Sequence, residues 1–176
     1  MIRHQLSIVI MGVAGCGKSS LGMAVAKQIG MDLIEGDDHH SPESLNKMRQ
    51  GIALTDADRD GWLAALCKAL QRQPAGVVLT CSALKRIYRD RLRQAAPGLR
   101  FVYLDINRKQ ASARVADRAA SHFFSTSLVD SQFATLEPPT DEAGVLRVDA
   151  MAPPAQQKAQ VCEWLETHSE IIKEQT

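Results

Sequence analysis

Gly12-Val13-Ala14-Gly15-Cys16-Gly17-Lys18-Ser19 satisfies the phosphate-loop pattern G-x-x-x-x-G-K-[ST] at every fixed position. At ordinary residue frequencies, a match somewhere in 176 positions arises by chance with odds below about one in a hundred. The preceding run, Leu6-Ser7-Ile8-Val9-Ile10-Met11, reads as a buried strand, and Leu21, Val25 and Ile29 behind the loop share one helical face. A strand running through a glycine-rich turn into a helix is the context the motif needs. Successive backbone N–H groups can then converge on phosphate oxygens, and the helix N-terminus adds partial positive charge. The segment from Gly12 to Ser20 is thus the expected nucleotide contact, with Lys18 reaching the β and γ phosphates and Ser19 ligating Mg²⁺. A plain glycine-rich turn would need neither the Lys-Ser pair nor the strand. Cys16 has two readings: a thiolate favoured by the helix N-terminus and Lys18, or an inert small side chain.

Outward from the loop, Gly30 stops the first helix and Met31 to Glu35 forms a short strand ending in Gly36-Asp37-Asp38-His39-His40. Ligands in open α/β sheets bind beyond the carboxyl ends of strands, the edge from which the loop also emerges. Glu35 and Asp37 are therefore candidate site carboxylates, against the alternative of a solvated turn. Pro42 opens a short helix to about Gln50, and Thr55-Asp56-Ala57-Asp58 caps a longer one to about Arg72. This hairpin, about residues 37–72, carries Lys47, Arg49 and Arg59 among several aspartates, so charge alone does not separate ligand contacts from a wet helix face. Trp62, Leu63, Leu66 and Leu70 fit helical spacing and read as core.

Val77 to Cys81 is a third strand, and Ser82 is the expected cap of a helix that bears Lys85, Arg86 and Arg89 near its start. Bases there oppose the helix dipole, which calls either for a nearby anion, such as a bound phosphate or carboxylate, or for plain solvent exposure. Arg100 to Leu104 is a fourth strand, followed by a helix capped by Asn107 that puts Arg114 and Arg118 on one face. The small-residue stretch after Arg118, to about residue 126, suits a closing lid or an ordinary connector. Val145 to Asp149 and an amphipathic helix after Pro154 complete a three-layer α/β domain built on a five-stranded parallel sheet.

A net charge of +1 without a basic run argues against nucleic acid as a partner, and no stretch is long enough to span a membrane. The four cysteines form no C-x-x-C pair, consistent with cytoplasmic thiols rather than a zinc knuckle or disulfide framework.

The loop alone leaves several small-molecule kinases open. Three further blocks narrow the choice: Gly36-Asp37-x-x-His40; Lys47-Met48-x-x-Gly51-x-x-Leu54-x-Asp56-x-Asp58-Arg59-x-x-Trp62-Leu63; and Cys81-Ser82-Ala83-Leu84-Lys85-x-x-Tyr88-Arg89-Asp90. With Arg114-x-x-x-Arg118, His122-Phe123, Gln132-Phe133-x-x-Leu136 and Asp141-Glu142, they resemble the gluconokinases, small phosphate-loop kinases related to the shikimate and nucleoside-monophosphate kinases. Ser41, Ser44, Ala53 and Cys16 depart from the family's usual residues, and the lid is one residue longer.

The resemblance implies ATP and Mg²⁺ as cofactors, D-gluconate phosphorylated at its 6-hydroxyl, and a homodimer. It gives Glu35 a metal contact through water, Asp37 the acceptor hydroxyl, Arg118 the transferring phosphoryl and Arg114 a place near the adenine. His40, Lys47, Arg59, Lys85 and Arg89 become the candidates for the sugar acid. A different acceptor, shikimate-like or a nucleotide, and a non-catalytic nucleotide switch are the rival readings.

Overall fold

The computed structural model describes residues 6–118 and 125–174. Five parallel strands, β1 (Ile8–Met11), β2 (Leu33–Glu35), β3 (Val78–Thr80), β4 (Arg100–Asp105) and β5 (Val145–Asp149), lie in the order β2-β3-β1-β4-β5. The strand leading into the phosphate loop is therefore central, hydrogen-bonded to β3 on one side and β4 on the other. All four of its residues are buried, which is why it reads as a continuous apolar run rather than an alternating one.

Helices α1 (Lys18–Ile29), α2 (Pro42–Arg49), α3 (Asp56–Gln71), α4 (Arg86–Ala95), α5 (Arg108–Arg118), α6 (Thr126–Thr135) and α7 (Pro154–Glu174) cover the two faces. One apolar layer joins Leu21 and Val25 of α1 and Val161 and Leu165 of α7 to Ile8 and Ile10. The opposite layer joins Trp62, Leu63, Leu66 and Leu70 of α3 and Leu92 of α4 to Val9 and Met11, so the alternate residues of β1 serve the two cores. The expected three-layer arrangement and five-stranded parallel sheet are present.

Local signals account for most boundaries. Gly30 ends α1 in the left-handed conformation, with φ 68°. Ser41 caps α2 ahead of Pro42, and Thr55 and Asp58 exchange the two hydrogen bonds of a capping box on α3. Asn107 Oδ1 accepts from Gln110 N at 2.8 Å at the start of α5.

One boundary differs from expectation. Ser82 does not cap α4: the chain continues through Ala83, at φ 45°, and the helix starts only at Arg86 after Lys85. The four residues Ser82 to Lys85 thus form a loop at the carboxyl end of β3. Of the expected lid, residues 119–124 lie outside the described residues, and with them His122 and Phe123. No helix among the described residues is long and apolar enough to cross a membrane.

Candidate active site

Because β1 and β2 both end at the same sheet edge, the phosphate loop and the Glu35–His40 turn face each other across a cavity of about 560 Å³. Ala14, Gly15, Gly17, Lys18, Ser19 and Ser20 form one wall. Asp37, His40, Met48, Arg49, Leu54, Arg59 and Trp62 form the opposite one, contributed by the turn and the helical hairpin. Ser82, Arg118, Leu128, Ser131 and Gln132 close the remaining sides.

The loop is shaped by close backbone approach. A Cβ on Gly15, at φ 82°, would stand 2.8 Å from the Ala111 carbonyl oxygen, so only glycine fits between the loop and α5. Lys18 Nζ donates to the carbonyls of Gly12 and Val13, each at 3.1 Å. Gly12, Val13 and Cys16 are buried behind the lining of the cavity, and Cys16 is 1% exposed. Burial pushes its thiol up, outweighing the opposing effects of Lys18 and the loop backbone. The reactive thiolate reading of Cys16 is therefore corrected: the helix N-terminus and lysine are present, but desolvation dominates. Cys81, buried at the end of β3, is pushed up to about 12 by the same cause.

Ser19 Oγ donates to Glu35 Oε2 at 3.0 Å, and Thr80 Oγ1 donates to the same oxygen. The hydroxyl and carboxylate that the sequence assigned to Mg²⁺ are thus adjacent at the loop mouth. Their chemistry fits: Mg²⁺ takes oxygen donors, keeps several waters and needs few protein groups when phosphates complete its shell. Thr80, which steadies Glu35, was missed because a threonine ending an apolar strand carries no local functional signal.

Asp37 opens to the water in the cleft, although protein surrounds the cleft on most sides. The His40 imidazole, with Nε2 3.7 Å from Oδ1, holds its carboxyl below the usual carboxylate range; burial opposes this and Lys18 assists it. His40 stacks on Trp62 with ring centroids 4.7 Å apart, and Trp62 Nε1 donates to the Gly36 carbonyl at 2.8 Å. Trp62 is a core residue as expected, and it also fixes the imidazole. Among the described residues, His40 Nδ1 is buried without a hydrogen-bond partner, a polar atom at the cavity wall suited to a ligand hydroxyl.

The five candidates for the sugar acid divide. His40 and Arg59 line the cavity. Lys47, Lys85 and Arg89 do not line it, and each meets a carboxylate of the protein itself. Lys47 Nζ donates to both oxygens of Asp58 at 2.9 Å, which also brings the Asp58 carboxyl to about 2 with the help of the Thr55 backbone. Lys85 Nζ reaches Asp56 at 3.0 Å, and Tyr88 donates to the same carboxylate. Arg89 is 0% exposed and pairs with Glu142, its Nη2 at 2.6 Å from Oε1. Its remaining donors meet the carbonyls of Ala83, Leu84 and Glu137. The anion expected at the start of α4 is also internal, since Glu137 Oε2 accepts from Arg86 N at 2.8 Å. Arg49, read from sequence only as part of a charged helix, lines the cavity instead.

On the nucleotide side, Arg114 donates to the Gly15 carbonyl at 3.2 Å and the Ala150 carbonyl at 3.0 Å, bridging the loop to the segment after β5. Arg118 stands at the cavity edge where α5 ends.

A family model described as an AAA domain matches residues 8–139. The gluconokinase of Gluconobacter oxydans is 43% identical over 80% of each chain, and the thermoresistant gluconokinase of Escherichia coli 42% identical over 82% of this chain and 85% of its own. The chain belongs to the gluconokinase family. A crystal structure of a gluconokinase from Sinorhizobium meliloti superposes with a TM-score of 0.89 at 43% identity, covering 99% of both chains. Beyond the gluconokinases, a Mycobacterium tuberculosis APS kinase, at 19% identity and a TM-score of 0.69, shares the fold.

Proposed function

We propose that the protein transfers the γ-phosphoryl group of ATP to the 6-hydroxyl of D-gluconate, giving 6-phospho-D-gluconate and ADP. The observation that carries this reading is one continuous cavity joining the phosphate loop to the helical hairpin, with Asp37 on the wall that faces the loop. Family membership supplies the acceptor.

Phosphoryl transfer asks a protein mainly to position groups and neutralise charge. The loop amides and Lys18 hold the β and γ phosphates. Ser19, and Glu35 through water, would hold Mg²⁺, which would supply positive charge against the phosphates. Asp37, an anion at neutral pH like any ordinary aspartate and held lower still by His40, accepts a hydrogen bond from the 6-hydroxyl and aims it at phosphorus. A carboxylate with a depressed pKa is a weak base, and its main contribution is orientation, with proton acceptance late in the transfer. Arg59 and Arg49 give the gluconate carboxylate charge-assisted partners, and His40 Nδ1 meets a hydroxyl. Arg118 approaches the transferring phosphoryl, and Arg114 lies toward the adenine.

A panel assay following ADP release with gluconate, shikimate, AMP and no acceptor tests the reading. Release that depends on gluconate is expected. Equal release with shikimate or AMP would point to another acceptor, and none with any of them to a nucleotide switch. The family resemblance also supports a cytoplasmic homodimer, whose assembly sedimentation velocity would test.

A further inference from the structure

Gln132 of α6 has no part in the reaction as described so far, yet it touches the phosphate loop directly: its Oε1 accepts from Ala14 N at 2.7 Å across 118 residues of sequence. A backbone N–H can only donate, so this bond fixes which end of the amide faces the loop. The carbonyl is committed to Ala14, and both hydrogens of Nε2 are carried on the other limb of the group. Gln132 lines the cavity together with Ala14, Lys18, Asp37 and Arg118, and Nε2 is the limb of its amide not spent on the loop.

The helix that carries the amide is tied down on several sides: Gln132 binds the loop; Glu137 N, just beyond the helix, donates to the Leu84 carbonyl at 2.8 Å; and Asp130 pairs with Arg108 of α5 at 3.6 Å. Leu128, Ser131 and Gln132 follow helical spacing and put one face of α6 on the cavity. The donor therefore sits on a helix braced against the phosphate loop, the loop after β3 and α5.

We infer that Gln132 is a further catalytic residue: a neutral hydrogen-bond donor to the phosphoryl group in transit, aimed by its own bond to Ala14. Charge in that transition state is spread over three equatorial oxygens, and a preorganised donor that meets one of them lowers the barrier without requiring net charge. The inference rests on phosphoryl transfer but not on gluconate as the acceptor.

The test compares Gln132→Met and Gln132→Glu with the unaltered enzyme, reading kcat, the affinity for ADP by calorimetry and the melting temperature. ADP lacks the transferred group, so a donor to that group leaves ADP binding alone. Gln132→Met should lose about a hundredfold in kcat, with ADP affinity within about twofold. Gln132→Glu keeps an acceptor for Ala14 but has no donor while ionised. Its kcat should fall at least as far and recover, relative to the unaltered enzyme, as falling pH protonates the carboxyl. Loss of ADP affinity in Gln132→Met in step with turnover would make Gln132 a prop for the loop and overturn the inference, as would unchanged kcat. Failure of the functional reading shows separately, as an unaltered enzyme that phosphorylates no acceptor.

Discussion

Arg59 and Arg89 lie on neighbouring helices, α3 and α4, and both are buried, at 8% and 0% exposure. One faces the cavity, with its guanidinium 5.8 Å from the Tyr88 ring centroid. The other is consumed by the framework, its donors divided between Glu142 and three backbone carbonyls. Lys18 belongs with the first, Lys47 and Lys85 with the second. The difference lies in the carboxylates. Where Asp56, Asp58 or Glu142 pairs directly with a base, that base turns to the framework; Arg59 and Lys18, for which no such pair forms among the described residues, line the cavity.

Arg89→Met breaks the comparison most severely. Leaving Glu142 buried with half its partners should cost about 3–5 kcal/mol of stability, while the fraction that folds keeps its KM for gluconate. Thermal unfolding followed by circular dichroism checks the first part and steady-state kinetics the second; a KM rise in a stable variant would move Arg89 to the ligand. Lys18→Ala should do the reverse, lowering kcat about a thousandfold with the melting temperature little changed. Near-normal turnover would sink the phosphate-loop assignment.

A smaller effect is expected from Arg59→Ala. Losing a charge-assisted partner worth about 1.5–3 kcal/mol should raise KM for gluconate far more than KM for ATP. Equal changes would make Arg59 a brace of the hairpin.

The contrast between Arg59 and Arg89 was not legible in the sequence, because it depends on pairings such as Arg89–Glu142 across 53 residues. Local chemistry was legible: the phosphate loop, the Thr55 capping box, the Gly30 stop and the adjacency of Ser19 and Glu35 all follow from short patterns or from strands ending at one edge. The start of α4 failed because Ser82 is a good cap by type, and only the left-handed turn at Ala83 postpones the helix. Cys16 failed because charge is visible in a motif and depth is not. Gln132 stood among the residues of the resemblance, but its contact with Ala14 exists only once α6 crosses the loop.

The mildest perturbation is acid. Burial would raise the Glu142 carboxyl, but hydrogen bonds from Arg89 and Arg93 bring it below its ordinary value. A carboxyl lowered by folding stabilises the protein fully above its unfolded value of 4.5 and progressively less as pH falls through the lower folded value. The Asp58 carboxyl, held at about 2 by Lys47 and Thr55, acts in the same sense from 3.8 downward. Urea midpoints should therefore be flat near neutrality and fall below about pH 4.5, and Asp58→Asn should flatten the lower part of that fall. A decline starting near neutrality would implicate histidines instead.

The central place of β1 also has a consequence in time. Its first residue, Ile8, pairs with Val78 on one side and Arg100 on the other, so the strand that feeds the phosphate loop lacks its first neighbour for about seventy residues of synthesis and its second for about ninety. At about 5–20 residues per second of synthesis, that is roughly 5–20 seconds in which an apolar strand waits in a nascent chain. Pairings this distant close late and slowly. The phosphate loop is made well before the strand that carries it has both neighbours, so the growing chain passes that interval with an apolar strand open to chaperones and to other nascent chains.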